Sequence, residues 1–147
     1  MGKILSVVPL GGVEEIGLNM TAMEYENDLI IVDAGLMFPE EDMLGVDFVI
    51  PDFSYIIANK DKVRGIVLTH GHEDHTGALP FLLKEIDVPV YGTALTLGLV
   101  KEKLKEHSLE HAVLVPVKPR DVINLGVFSI EFVRVTHSIV DGVGLGI

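Results

Sequence analysis

Three imidazoles and two carboxylates fall within six consecutive positions, His70-Gly71-His72-Glu73-Asp74-His75. Neutral imidazole nitrogen and carboxylate oxygen together form the donor set of a borderline cation such as zinc; manganese also accepts these ligand types. On a loop at the end of a strand, side chains two positions apart converge, so His70 and His72 can face one ion. Asp74 and His75, where the chain turns into a helix, can face a second. The spacing therefore suits two cations better than one. A His-rich surface loop is the bland alternative, and it fits poorly because the apolar run Gly65 to Thr69 leads straight into the cluster and a helical pattern leads out of it.

Two more residues join the candidates on weaker grounds. His137 follows the strand-like run Val127 to Val135 and can supply a third imidazole to the ion of His70 and His72; local sequence leaves this open against a capping histidine. Asp33 ends the apolar run Leu29 to Val32, just before Ala34-Gly35. It is either an acceptor that fixes the tautomer of a ligating histidine or an aspartate that starts a turn. His107 and His111 stand at or beyond the end of a charged helix, where the negative helix terminus accounts for them.

Other chemistries are excluded. The chain has no cysteine, which removes disulfide scaffolds, zinc fingers, iron–sulfur sites and thiol catalysis together. Gly12 to Gly17 has the glycine spacing of a phosphate loop, but Leu18-Asn19 stands where Lys-Ser or Lys-Thr is required, and Glu14 and Glu15 would repel phosphate. Those glycines serve tight turns. No Gly-x-Ser-x-Gly elbow occurs.

The elements that must hold the cluster are legible from apolar runs. With 147 residues and 48% hydrophobic content, the chain is one domain's length and can bury a core. Strands are expected at Ile4 to Val8, Met20 to Tyr25, Leu29 to Val32, Gly65 to Thr69, Val88 to Tyr91, Ala112 to Val117, Asp121 to Asn124, Val127 to Val135 and Val143 to Ile147. Phe53 to Asn59 predicts a short helix. A second runs from a cap at Thr76 or Gly77 through Ile86, with Pro80 in its first turn, and a third starts at Thr93 and buries Leu97, Val100 and Leu104. Phe38 to Pro51 reads as a long irregular excursion. Strands interleaved with helical crossovers make an α/β architecture. The last strand has no terminating signal, which suggests an open edge through which copies of the chain can associate, and residues 1–147 read as the first portion of a longer polypeptide.

The formal charge is −11, and residues 1–59 carry −10 of it. Such a balance opposes a general electrostatic grip on nucleic acid, which needs clustered Lys and Arg, but leaves room for a polyanion held by metals. No apolar run reaches the roughly 18 residues of a membrane span, and no signal-peptide pattern opens the chain, so the expected setting is cytoplasmic, without a membrane partner.

The run His70 to His75 resembles the hallmark motif of the metallo-β-lactamase superfamily. The flanking words Pro9-Leu10-Gly11-Gly12, Glu15 to Met20, Asp33 to Pro39, Ile50-Pro51-Asp52, Leu68-Thr69, Gly77 to Pro80, Tyr91-Gly92-Thr93 and Val135 to Ile139 resemble the ribonuclease J family of its β-CASP branch. The resemblance implies an αββα sandwich with a two-zinc site on one edge of the sheets. It makes His70, His72 and His137 ligands of one ion, Asp74 and His75 ligands of the other and the catalytic pair, and Asp33 a supporting residue beside the metals. Val140 departs from the family, which commonly has proline there. The family's metal-bridging aspartate, its inserted β-CASP domain, its C-terminal domain and a later histidine ligand have no counterpart in these 147 residues. The implied activity is metal-dependent hydrolysis of RNA phosphodiesters, as 5′-to-3′ exonuclease and endonuclease in homo-oligomeric full-length relatives. The alternatives are a thioester or lactam hydrolase of the same fold, or an inert metal-binding chain.

Overall fold

The computed structural model describes residues 2–147. Nine strands, β1 (Leu5–Gly11), β2 (Met20–Tyr25), β3 (Asp28–Val32), β4 (Val63–Val67), β5 (Val90–Thr93), β6 (Leu114–Val117), β7 (Val122–Leu125), β8 (Phe128–Arg134) and β9 (Val143–Gly146), alternate with helices α1 (Ser54–Ala58), α2 (Glu73–Thr76), α3 (Leu79–Leu82) and α4 (Ala94–Glu106). Strands β1 to β6 form one sheet in sequence order; β7, β8 and β9 form a second. From β3 to β6 the strands run parallel, so their C-terminal ends share one edge.

The central strands are buried on both faces, as continuous apolar runs require. Leu29 and Ile31 of β3 and Ile66 of β4 pack toward the helices, with Leu79, Leu82, Leu97, Val100 and Leu104. The alternate residues Ile30 and Val67 pack toward the second sheet, with Leu125, Phe128, Ile130 and Phe132. Period-two alternation thus feeds two cores from one strand. The described residues supply helix, sheet and sheet layers, three of the four in the expected αββα sandwich.

Several boundaries differ from the expectation. The first strand does not stop before Pro9 but runs on to Gly11, with a register shift between Pro9 and Gly11. Because β1 is an edge strand, the missing proline N–H costs no ladder bond on its open side. The helix expected to run unbroken to Ile86 from Thr76 or Gly77 is instead two single turns, α2 and α3, and neither residue caps it. The amide of Ala78 bonds to the carbonyl of Ala34 in a different segment, and Pro80 has no N–H to continue a ladder. Thr93 does precede α4, but its hydroxyl makes no cap; it donates to the carbonyl of Asp141 and pairs with the Thr96 hydroxyl.

What positions the His cluster is a backbone lattice among three loops. Asn19 N–H donates to Asp74 O, Ala34 N–H to His75 O, Gly35 N–H to Asn19 O, and Leu36 N–H to Glu73 O, all at 2.8–3.0 Å. These bonds fasten α2 to the segments after β1 and β3. The lattice leaves no room at Gly35, where a Cβ would stand 1.6 Å from the carbonyl oxygen of Asp74. Gly35→Ala must therefore push α2 away. The expected outcome is a lower urea midpoint together with weaker binding of divalent metal in a chelator competition; an unchanged midpoint and affinity would show that the lattice is not what holds α2.

Candidate metal centre

Strand β4 ends at Val67, and the chain reaches His70 three residues later at the shared C-terminal edge of the parallel strands. His72 takes extended dihedrals as the residue before α2 (φ −65°, ψ 150°), where the chain passes from the loop into the helix. His137 arrives from the other sheet, three residues beyond β8. The four imidazole rings gather around His70, whose ring centre lies 4.7 Å from His72, 4.0 Å from His75 and 4.4 Å from His137.

Two groups of converging donor atoms result. One atom each from His70, His72 and His137 lies within 4.8 Å of the others, and the same holds for His70, Asp74 and His75. The Nε2 atoms of His70 and His137 face each other at 3.1 Å. Ligands 2.0–2.1 Å from a tetrahedral ion are separated by about 3.3 Å, so this is the spacing of donors that share a cation. The donor set of the site therefore fits divalent metal. His70 belongs to both groups, whereas spacing alone divided the motif into separate pairs.

Electrostatics prepare the cluster for a cation. Burial, and then the neighbouring imidazoles of His75, His137 and His72, push the His70 pKa down to about 4, leaving a neutral ring with its lone pair available. Burial also presses on His75, but the hydrogen bond that its Nδ1 gives to Asp33 and the charges of Asp33 and Asp74 outweigh it and hold that pKa above the ordinary histidine value.

Asp33 is the structural pivot. It occupies a left-handed backbone conformation (φ 60°), which aspartate tolerates better than most side chains, and it is buried. One carboxylate oxygen accepts the Thr69 amide at 2.8 Å; the other accepts the Thr69 hydroxyl at 2.8 Å and pairs with His75 Nδ1 at 2.7 Å. With Nδ1 so engaged, His75 keeps Nε2 free, 3.6 Å from the Asp74 carboxylate.

Three positioning residues escaped sequence reasoning. The Asn19 side-chain amide donates to the Asp74 backbone carbonyl at 3.0 Å and to its carboxylate at 3.2 Å. Thr69 also lies 3.0 Å from His70 Nδ1, so its hydroxyl sets the ring of the central histidine. Thr93 anchors the turn that follows His137 through the Asp141 carbonyl. Asn19 was visible only as the wrong residue for a phosphate loop and as part of a family word, and nothing local marks either threonine for this role. His107 and His111 lie away from the cluster; His107 closes α4, with its Nδ1 3.3 Å from Lys84 Nζ. Glu73, the remaining acid of the motif, points outward and pairs with Lys103 on α4.

The depressed His70 pKa has a stability consequence with a definite sign. A histidine that is harder to protonate folded than unfolded contributes stability fully present above about pH 6.5 and lost as pH falls toward 4. The EDTA-treated chain should lose urea resistance between pH 7 and pH 4.5, and His70→Asn should flatten part of that slope. An identical slope in the variant would place the titrating group elsewhere.

The comparisons with known proteins agree with this geometry. The profile of the Metallo-beta-lactamase superfamily matches residues 15–146. Ribonuclease J 1 of Streptococcus pyogenes is 46% identical over 142 residues, which cover 96% of this chain and 25% of that protein. Ribonuclease J of Helicobacter pylori is 48% identical over 145 residues, 97% of this chain and 21% of that protein. The chain thus spans about a quarter or less of the length of these curated relatives. Among solved structures, the Rm3 metallo-beta-lactamase superposes with a TM-score of 0.61 at 20% identity, covering 95% of this chain and 55% of that one. With its profile match over nearly all of its length and four of its histidines gathered at the edge of the sheets, the chain belongs to the metallo-β-lactamase superfamily.

Proposed function

We propose that this chain carries the metal centre of an RNA phosphodiester hydrolase of the ribonuclease J type. The observation that carries the reading is the pair of facing Nε2 atoms of His70 and His137, contributed by different sheets and meeting at the spacing of a shared ligand. Identity of 46–48% to ribonuclease J proteins supports RNA as substrate over thioesters or lactams, since fold alone does not distinguish them. Zinc is the ion we assign, with manganese as its substitute; a cytoplasmic setting and homo-oligomeric assembly complete the reading.

In this reading His70, His72 and His137 hold one ion, and Asp74 and His75 hold the other. When bound, such a pair would supply a water that ionises near neutral pH and positive charge that offsets the negative charge developing on phosphoryl oxygens. The chain's own residues do the rest. Asp33 holds His75 by Nδ1 and so presents Nε2 to the site, and Thr69 does the same for His70. Asp74, held by the Asn19 amide, keeps a carboxylate oxygen at the mouth of the site, where it can orient the attacking water and take its proton. No helix among the described residues is long and apolar enough to cross a membrane.

Zinc titration against a chromogenic chelator tests the metal assignment. Asp33→Asn, which cannot accept both Thr69 and His75 as the carboxylate does, should weaken zinc binding about 10–100-fold. Hydrolysis of 5′-monophosphorylated RNA by the product of the full reading frame, compared with hydrolysis of a thioester, tests the substrate. The expected outcome is chelator-sensitive RNA cleavage abolished by Asp74→Asn; thioester turnover without RNA cleavage contradicts the reading.

A further inference from the structure

The acidic balance of the chain conceals a basic rim. Seven of its eleven Lys and Arg residues make no ion pair among the described residues, and both unpaired arginines, Arg120 and Arg134, line one open cleft of about 760 Å³ with Lys118. The remaining arginine, Arg64, is engaged by Asp28 on another part of the fold. Glu131 and Asp141 also border the cleft, so its lining keeps one net positive charge in a molecule of −11, and the Asp121 carboxylate in the same turn accepts the Lys118 amide. All three cations are solvent-exposed.

Topology puts this cleft beside the metal centre. β4, β5 and β6 are parallel neighbours, so His70 after β4 and Lys118 after β6 stand on the same sheet edge. Two strand spacings separate them, about 10 Å. The turn carrying Lys118 and Arg120 is tied to β8: Arg120 N–H donates to the Phe132 carbonyl, and Phe132 N–H to that of Asp121. Arg134 is the last residue of β8, three before His137. Asp141, on the cleft wall, accepts the Thr93 hydroxyl through its carbonyl, joining the end of β5 to the turn after His137.

We infer that Lys118, Arg120 and Arg134 form a phosphate rail that holds the single-stranded RNA backbone beyond the nucleotide at the metal centre. This rests on the hydrolase reading for the identity of the polyanion. The strand spacing of about 10 Å along that edge corresponds to about three nucleotides at the 3.4 Å rise per nucleotide of a stacked strand. Arginine suits the task because its planar fork engages two phosphate oxygens at once. The rail also explains how an acidic chain handles a polyanion: repulsion is concentrated in residues 1–59, whereas the cations that stay unpaired and share a cleft come from residues 118–134.

The test is an NMR titration of the 15N-labelled chain with the tetranucleotide pUpUpUpU, zinc-loaded and EDTA-treated, at several salt concentrations. Amides of 118–121 and 131–134 should shift in both states. The double variant Arg120→Asn, Arg134→Gln should bind about tenfold more weakly at low salt, with the slope of log K against log salt reduced by about 1.4. Asparagine is chosen at 120 because that residue has φ 77°. The charge-keeping Arg120→Lys, Arg134→Lys variant should retain the parent slope, which separates lost charge from lost fold. Absence of shifts on the rail, or parent-like binding by the neutral double variant, overturns the proposal. Rail shifts without any zinc-dependent response around His70 leave the rail standing and remove the hydrolase reading instead.

Discussion

A single buried carboxylate connects the elements that the metal centre needs. Asp33 closes β3, takes the amide and hydroxyl of Thr69 after β4, and holds Nδ1 of His75 in α2. A buried carboxylate is costly unless its oxygens are satisfied, and here both are. Because those partners come from two other segments, satisfying Asp33 sets the relative position of β3, the His70 loop and α2 at once. His75 gains a pKa above the ordinary value from the same contact that orients it, while His70, buried among other imidazoles, falls to about 4. Burial and the Asp33 contact thus move adjacent rings in opposite directions, and His70 offers a neutral imidazole to an entering cation.

The second constraint is that ligands converge from different sheets. His70 and His72 belong to the loop after β4, whereas His137 follows β8 in the three-stranded sheet. Their meeting depends on the core between the sheets, where Ile30 and Val67 face Leu125, Ile130 and Phe132. Packing far from the rings therefore determines the 3.1 Å approach of His70 to His137.

Much of this was legible in the residues alone. Apolar runs marked the strands because β3 and β4 are buried on both faces, and the His70 to His75 motif marked the cluster because its donors are close in sequence. Boundaries failed where tertiary hydrogen bonds overrode local preference. Ala78 gives its amide to Ala34 rather than to a helical neighbour, so one expected helix became two turns. The supporting residues were invisible for a related reason: Asn19 reaches Asp74 across 55 positions and Thr93 reaches Asp141 across 48. Net charge was silent on this in the same way, since an average over 147 residues does not show that a turn and a strand end bring Lys118, Arg120 and Arg134 to one cleft. Patterns with a short period were readable; contacts made by folding were not.

The central claim is that the four imidazoles and Asp74 enclose a pair of cations. Anomalous diffraction at the zinc edge, from crystals of the zinc-loaded chain, tests it most directly. The account predicts two peaks, one within bonding distance of His70, His72 and His137 and a second beside Asp74 and His75. A zinc-free cluster, or metal bound only at surface carboxylates away from these rings, would contradict it.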